Sequence, residues 1–367
     1  MSLVLFVILI LYMITIGWLI YGYGKVKKYQ EKNLEPKTSF TIIVPFRNEA
    51  DNLPLLLASF SKLNYPDDLF EVILVDDESQ DEFQVSSFKF QVLVVDNVRV
   101  SKSPKKDAIS TAMKHVKTDW VITTDADCIV SENWLLIFDN YIQEHTVSML
   151  AGAVTYDCDD SFLHHFQQLD LTSLQGATIG SFGIGKAFMC NGANFAYTKK
   201  MFEELNGFEG NNKIASGDDV FLLQKGVELH PDKVHYLKAS EVIVQTKPTP
   251  DWKSLFYQRV RWAAKTSSYH SIFGKVLGLI VFFGNLNFII GTVFFLFGAW
   301  PWWLSVLFVF SKFAIDFVLL YTTNQFLRKT RIQNLILSSV LYPFFSMAVA
   351  FYSLFGSYEW KERQFKA

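Results

Sequence analysis

Residues 119–128 read DWVITTDADC. A β-branched and aromatic run leads into two carboxylates one residue apart, Asp125 and Asp127. The run has the length and make-up of a buried strand, and strand alternation would turn both acids to one side. Outward from it the pattern recurs. FEVILVDD (70–77) is a buried strand ending in Asp76 and Asp77, and SFTIIVP (39–45) is one ending in Pro45 and followed by RNEADN. VLVVDN (92–97) adds a fourth strand. Between them, LPLLLASFSKL has apolar helical spacing, and SPKKDAISTAMKHV (103–116) opens with a Ser and a Pro that suit a helix start. Strands alternating with helices predict an α/β domain with a mostly parallel sheet and right-handed crossovers. Ligands bind such sheets at the carboxyl ends of the strands, where Glu49, Asp76, Asp77, Asp125 and Asp127 all fall. No G-x-G-x-x-G or Walker pattern follows a strand, which disfavours a dinucleotide enzyme and a P-loop kinase.

Composition explains what lies on either side. Half of the residues are hydrophobic, 35 are Phe and 19% are charged, against roughly 25% charged in an average soluble domain. The excess sits at the ends. Residues 3–21 carry no charge and are long enough to span a bilayer as a helix. No basic stretch precedes them and no A-x-A-like site follows, so a retained anchor is expected rather than a cleaved signal. Further apolar stretches run about 276–299, 302–322 and 334–356. The first contains Gly278, Gly284, Asn285, Asn287 and Gly291 and is the least expected to cross. Lys312 and Asp316 fall within the second at i and i+4, so a self-paired couple is expected, with contact to an acceptor headgroup as the rival. The stretch 36–250 is long enough to bury one sizeable core. The expected division is an anchor 1–23, a catalytic domain 38–250, interfacial helices 251–272, two or three crossings within 273–357 and a tail 358–367. Lys25, Lys27 and Lys28 after the first span, and Arg328, Lys329 and Arg331 between the last two, place both regions on the cytoplasmic side. Three crossings would then put the basic tail outside, an awkward outcome. A net charge of −2 offers no basic surface for nucleic acid. Cys128, Cys158 and Cys190 have neither metal spacing nor even number, as in a reduced, cytosolic domain.

Each acidic motif has two readings. Asp125-Ala126-Asp127 can hold Mg²⁺ or Mn²⁺ against a diphosphate, since hard cations take carboxylate oxygen and keep water or phosphate as further ligands; alone it is equally a solvated loop. Asp76 to Asp81 can accept from a base or ribose, or make an Asx turn. Gly217-Asp218-Asp219 can supply a general base, or cap a helix. Gln258-Arg259-Val260-Arg261-Trp262 can clamp a diphosphate beside an aromatic platform, or anchor a helix at the headgroups.

Taken in order, the motifs are strand-RNE, strand-DD-x-S-x-D, a K-K-x-A helix, strand-D-x-D, a late acidic pair and Q-x-x-R-W. Together they resemble the membrane-bound, processive and lipid-linked members of the family 2 inverting glycosyltransferases, which have the GT-A fold. The resemblance runs from about 38 to 265. Asn206-Gly207-Phe208 is similar to the family's G-G-F turn, and Trp360-Lys361-Glu362-Arg363 to a W-K-x-R tail. It implies that Pro45, Arg47 and Glu49 line a nucleotide pocket and that Asp77 or Asp76 binds the base. Lys105 and Lys106 would lie near the nucleotide or diphosphate. Asp125 and Asp127 would hold Mg²⁺ or Mn²⁺ and the ribose-diphosphate. Asp219, three before Leu222, would be the base, with Asp218 as the alternative because T-E-D is here S-G-D-D. Gln258, Arg261 and Trp262 would close over donor and acceptor. CNGANF (190–195) has no assigned role.

The implied reaction moves a sugar from a nucleotide sugar, by resemblance UDP-linked, to a lipid, as in ceramide glucosyltransferase-like enzymes. The alternative is a processive synthase of a β-linked polymer, as in cellulose or poly-N-acetylglucosamine synthases, and the remote one a non-catalytic scaffold or transport subunit. A multi-pass protein of the cell or inner membrane is expected, with its catalytic domain in the cytosol and no nucleic-acid partner.

Overall fold

The computed structural model describes residues 2–82, 87–212, 214–328, 332–361 and 363–366. Lys329, Arg331 and Glu362 lie outside the described residues. The chain runs α1 (Ser2–Lys25), β1 (Phe40–Phe46), α2 (Leu53–Phe60), β2 (Phe70–Asp76), β3 (Gln91–Asp96), α3 (Pro104–Met113), β4 (Trp120–Thr123), β5 (Cys128–Ile129) and α4 (Trp134–Glu144). It continues with β6 (Met149–Ala151), β7 (Val154–Tyr156), α5 (Phe162–Gly183), β8 (Phe195–Thr198), α6 (Lys199–Glu204), α7 (Asp218–Leu229), β9 (Val234–Tyr236) and β10 (Val244–Thr246). Last come α8 (Trp252–Ala264), α9 (Ile272–Leu296), α10 (Trp302–Leu327), α11 (Leu335–Phe355), β11 (Ser357–Trp360) and β12 (Arg363–Lys366).

Two compact units result. One combines Lys27–Asp157 with Phe188–Lys247, the other Met1–Val26 with Cys158–Ala187 and Pro248–Ala367. The stretch 38–250, expected as one domain, is therefore interrupted: residues 158–187, with α5 at their centre, pack among the apolar helices.

The first unit is an α/β domain. Its main sheet has the order β3-β2-β1-β4-β8-β6-β9. β3, β2, β1 and β4 are parallel, as the alternating pattern predicts, while β8 runs antiparallel to both neighbours. Phe40, Ile42 and Val44 of β1 and Val72 and Leu74 of β2 are buried with Leu56, Leu57 and Phe60 of α2 and Trp134 and Phe138 of α4. The sheet tolerates Pro45 for a local reason. Phe46 O accepts from Asp77 N, and Ile43 O accepts from Thr124 N. Even residues of β1 thus bond toward β2 and odd ones toward β4, and β4 stops at Thr123, opposite Ile43. Pro45 faces no strand with the N–H it lacks.

In the second unit, α1, α9, α10 and α11 are each long and apolar enough to cross a membrane. The glycine-bearing stretch expected to be weakest forms the 25-residue helix α9. Glycines set the seam between α1 and α5. A Cβ on Gly183 would lie 1.8 Å from Gly22 O, and one on Gly180 would lie 2.4 Å from Leu19 O, so these backbones touch as only small residues allow. Lys312 and Asp316 are paired at 2.7 Å on α10, and Tyr12 of α1 donates to the other oxygen of Asp316 at 2.6 Å. The expected self-paired couple is present, with Tyr12 as an unexpected third member. Lys312→Leu should leave Asp316 without its cation and cost about 3–5 kcal/mol. Thermal unfolding in detergent should show that loss, and the double replacement Lys312→Leu/Asp316→Leu should recover most of it; equal losses in both would refute the pairing as the cause.

The tail does not stand apart. β11 and β12 form an antiparallel hairpin, and Tyr358 and Phe365 pack with Val260 of α8 and Val349 of α11. The chain leaving α11 thus returns to the helix that precedes α9.

Candidate active site

The sheet order brings the carboxyl ends of β2, β1 and β4 side by side. Because β8 is antiparallel, with Phe195 opposite Thr123, its beginning meets the same edge. The 3-10 turn Gly192–Asn194 just before β8 is thereby delivered to the acids, and CNGANF acquires a place.

The loops after β1 and β2 are bonded to each other. Arg47 Nη1 donates to the carbonyls of Asp77 at 2.8 Å and Glu78 at 2.6 Å. Asn48 N donates to Ser79 Oγ at 3.0 Å, and Ala50 N to Asp81 Oδ2 at 2.7 Å. Asn48 and Glu78 take positive φ values of 51° and 63°, conformations that cost non-glycine residues free energy and cluster at functional sites. Asp76 Oδ1 accepts from Ser79 N at 2.8 Å, the local turn anticipated as the bland reading. Asp77, 6% exposed, accepts from Asn97 Nδ2 at 2.6 Å and lies 3.4 Å from Arg99 Nη1. Glu49 accepts from Asn52 Nδ2 at 2.5 Å beside the start of α2.

The acids after β4 behave differently from expectation. The strand ends at Thr123, so Asp125 and Asp127 sit in the following turn. Alternation along a strand therefore does not set their directions. Lys105, in the first turn of α3, gathers the acids instead. Its Nζ lies 2.6 Å from Asp125 Oδ1 and 3.5 Å from Asp218 Oδ2. Burial alone would lower the Lys105 pKa, but Asp125, Asp218 and Asp219 outweigh it and hold the ammonium well above its ordinary value. Asp219 Oδ2 accepts from Gly192 N at 2.8 Å, and its Oδ1 from Val220 N at 2.7 Å. Gly192 leaves little room for a side chain: a Cβ there would lie 3.0 Å from Asp218 Oδ2 and 3.2 Å from Lys105 Nζ. Thr123 Oγ1 donates to Gly192 O at 2.8 Å. Burial and then Asp218 push the Tyr197 phenol up, and burial, Asp127 and Asp125 do the same to the Cys128 thiol, which removes that thiolate as a nucleophile.

Lys106 is not with its neighbour. It is 1% exposed, and its ammonium donates to the carbonyls of Asn211 and Ile214, each at 2.9 Å. Adjacent helical positions point about 100° apart, so only one of the two lysines can face the acids. Asn97, Arg99, Thr123, Gly192 and Tyr197 are the residues to which sequence reasoning gave no role. CNGANF was noticed without a role, whereas nothing local to Arg99 announces its approach to Asp77.

Gln258, Arg261 and Trp262 belong to the other unit, on α8. There Arg259 makes the buried ion pair, with Asp170 of α5. Its guanidinium lies 4.2 Å from the centre of the Trp262 ring, and it also donates to Gln258.

The metal expectation can be tested on the donor set. Among the described residues no group of three or more His, Cys, Asp or Glu side chains could hold a metal. Asp125 and Asp127 offer carboxylate oxygen alone, and an ammonium already rests 2.6 Å from Asp125. Carboxylate oxygen is the donor that Mg²⁺ or Mn²⁺ takes, and such an ion would complete its shell with water and phosphate.

Residues 41–206 match the sequence model of Glycosyl transferase family 2. The matched stretch covers the strands and acids from β1 through the Gly192 turn and β8. Among characterised proteins, the chain is 20% identical over 258 residues to "Glycosyltransferase AglE" of Haloferax volcanii, covering 66% of this chain and 80% of that one. It is 22% identical over 248 residues to "Probable glycosyltransferase YdaM" of Bacillus subtilis, covering 65% of this chain and 57% of that one. Among solved structures, the mannosyltransferase PcManGT from Pyrobaculum calidifontis, in complex with GDP-Man and Mn2+, matches with a TM-score of 0.54 at 17% identity, over 95% of this chain and 99% of that one. The likeness shows the fold: a GT-A domain with a mostly parallel sheet, as the strand pattern predicts.

Proposed function

We propose that this chain is a membrane-embedded, inverting glycosyltransferase that moves a sugar from a nucleotide sugar, by resemblance UDP-linked, to a lipid acceptor. The observation that carries it is the Lys105 bridge between Asp125 and Asp218 at the carboxyl edge of the sheet. It joins the acids suited to a diphosphate with those suited to a base. The family 2 match and the relatives named above support transfer from a nucleotide sugar. The four long apolar helices support the membrane setting. In this reading the anchor 1–23 and the region 273–357 hold the enzyme in the bilayer, with 251–272 at the interface and the catalytic domain cytosolic.

The loops of Pro45, Arg47 and Glu49 and of Asp76 and Asp77 take the nucleotide. Asp125 and Asp127 face the diphosphate, and a bound Mg²⁺ or Mn²⁺ would offset its negative charge there. Lys105 lends a positive charge to the same leaving group. Asp219, held by Gly192 N and Val220 N, takes the proton of the acceptor hydroxyl as its oxygen attacks the anomeric carbon. The carbon–oxygen bond to the diphosphate breaks in the same step, so an α-linked donor yields a β-linked product.

Membranes containing the enzyme should transfer one labelled sugar into a lipid extract. Insoluble polymer would favour the processive alternative, and an α-linkage would refute inversion. Asp219→Asn should lose transfer by at least about 10³-fold while retaining nucleotide binding. Loss in Asp218→Asn alone would move the base by one residue.

A further inference from the structure

The loop that carries the acidic pair is held by its backbone. At its start, Lys225 of α7 donates to the carbonyls of Leu205, Gly207 and Glu209 at 3.1, 2.8 and 2.8 Å. Further along, Lys106 Nζ donates to Asn211 O and Ile214 O, each at 2.9 Å. Ser103 Oγ, in place of capping α3, donates to Ala215 O at 3.0 Å. Ser103 is fully buried and Lys106 is 1% exposed. The Lys106 ammonium also lies 4.9 Å from the centre of the Phe221 ring, on the helix that the acids begin.

An ammonium taken out of water costs several kcal/mol unless dipoles replace the lost hydration. Here carbonyls of one loop provide that replacement, and a side chain that binds them fixes where the loop goes. The first turn of α3 therefore grips the acidic segment twice. Lys105 holds the Asp218 side chain, and Lys106 with Ser103 holds the backbone just ahead of it.

We propose that Lys106, with Ser103, is a positioning residue that sets the backbone ahead of Asp218 and Asp219, delivering both acids to the transfer site without touching substrate. The inference rests on the reading of that site as one for sugar transfer. It assigns Lys106 a task different from contact with the nucleotide.

The test uses the full chain in detergent, with UDP and Mn²⁺ as the binding probe. Lys106→Met keeps most of the stem and removes the charge. Transfer should fall about 10²-fold, the effect of misplacing catalytic groups by an ångström, with UDP affinity changed less than about threefold. Amide exchange over 214–220 should rise at least about tenfold while β1, β2 and β4 keep their protection. Lys106→Arg should restore part of the transfer, and Ser103→Ala should shift exchange the same way by less, which covers the case of a Lys106→Met chain that fails to fold. UDP affinity falling in step with transfer would overturn the proposal, as would unchanged exchange over 214–220. A wild-type chain that transfers sugar from no donor would sink the proposed function instead, and the exchange measurement would still judge the positioning role.

Discussion

Lys105→Met should cut sugar transfer by about 10²–10³-fold, the cost of removing one preorganised charge from a transition state. The ammonium stands 2.6 Å from Asp125 and 3.5 Å from Asp218, so its loss leaves two carboxylates facing each other with nothing between them. Asp218 is 8% exposed and cannot turn to water. Stability should therefore drop along with activity. The pH dependence follows from the direction of the Lys105 shift. A lysine whose folded value is raised contributes stability fully below its unfolded value of about 10.4 and loses it only as pH rises through the folded value. The deficit of the variant relative to wild type should thus persist from pH 7 to pH 9 and narrow only in strong alkali. Thermal unfolding across that range measures it. Wild-type transfer by the purified variant would remove Lys105 from the mechanism.

Asp170→Asn should be the most damaging single change among the helices. Asp170 and Arg259 are 5% and 6% exposed, and breaking a buried pair by removing one charge costs about 3–5 kcal/mol. Arg259 also covers the Trp262 ring and donates to Gln258, so the damage should reach the Q-x-x-R-W segment. The double replacement Asp170→Leu/Arg259→Leu removes both charges and should regain stability in thermal unfolding, while transfer stays low because Gln258 and Trp262 lose their partner. Full activity in the double variant would separate this pair from function.

The sequence was readable where apolar, β-branched residues run without interruption. β1, β2, β3 and β4 are β-branched runs fenced by turns; the first three appear within a residue or two of their predicted positions, while β4 stops at Thr123, five residues short of its predicted end. The strands of three residues, β6, β7, β9 and β10, are too short for any periodicity to register. α5 escaped for a different reason. Its buried residues include Gln167, Gln168, Asp170, Thr172 and Gln175, so its inward face is polar and reads like a surface. At the site, the acids were visible because they follow strands or begin a helix. What could not be read was orientation. Lys105 and Lys106 are chemically the same, and only the packing of α3 decides which meets Asp125. Arg259 and Arg261 pose the same problem on α8, where the arginine that meets Asp170 is Arg259.

The seam between α1 and α5 has a bearing on how the chain is made. Gly22 touches Gly180 and Gly183, yet some 150 residues separate them. Ribosomes add roughly 5–20 residues per second, so α1 emerges many seconds before its partner exists. Nearly all of residues 27–157 must leave the ribosome in that interval. The first helix therefore waits with its glycine face uncovered while β1 to β7 are synthesised, and the seam can close only once α5 has followed. The seam between α1 and α5 is therefore a late contact, made only after the strands encoded between its two halves have been synthesised.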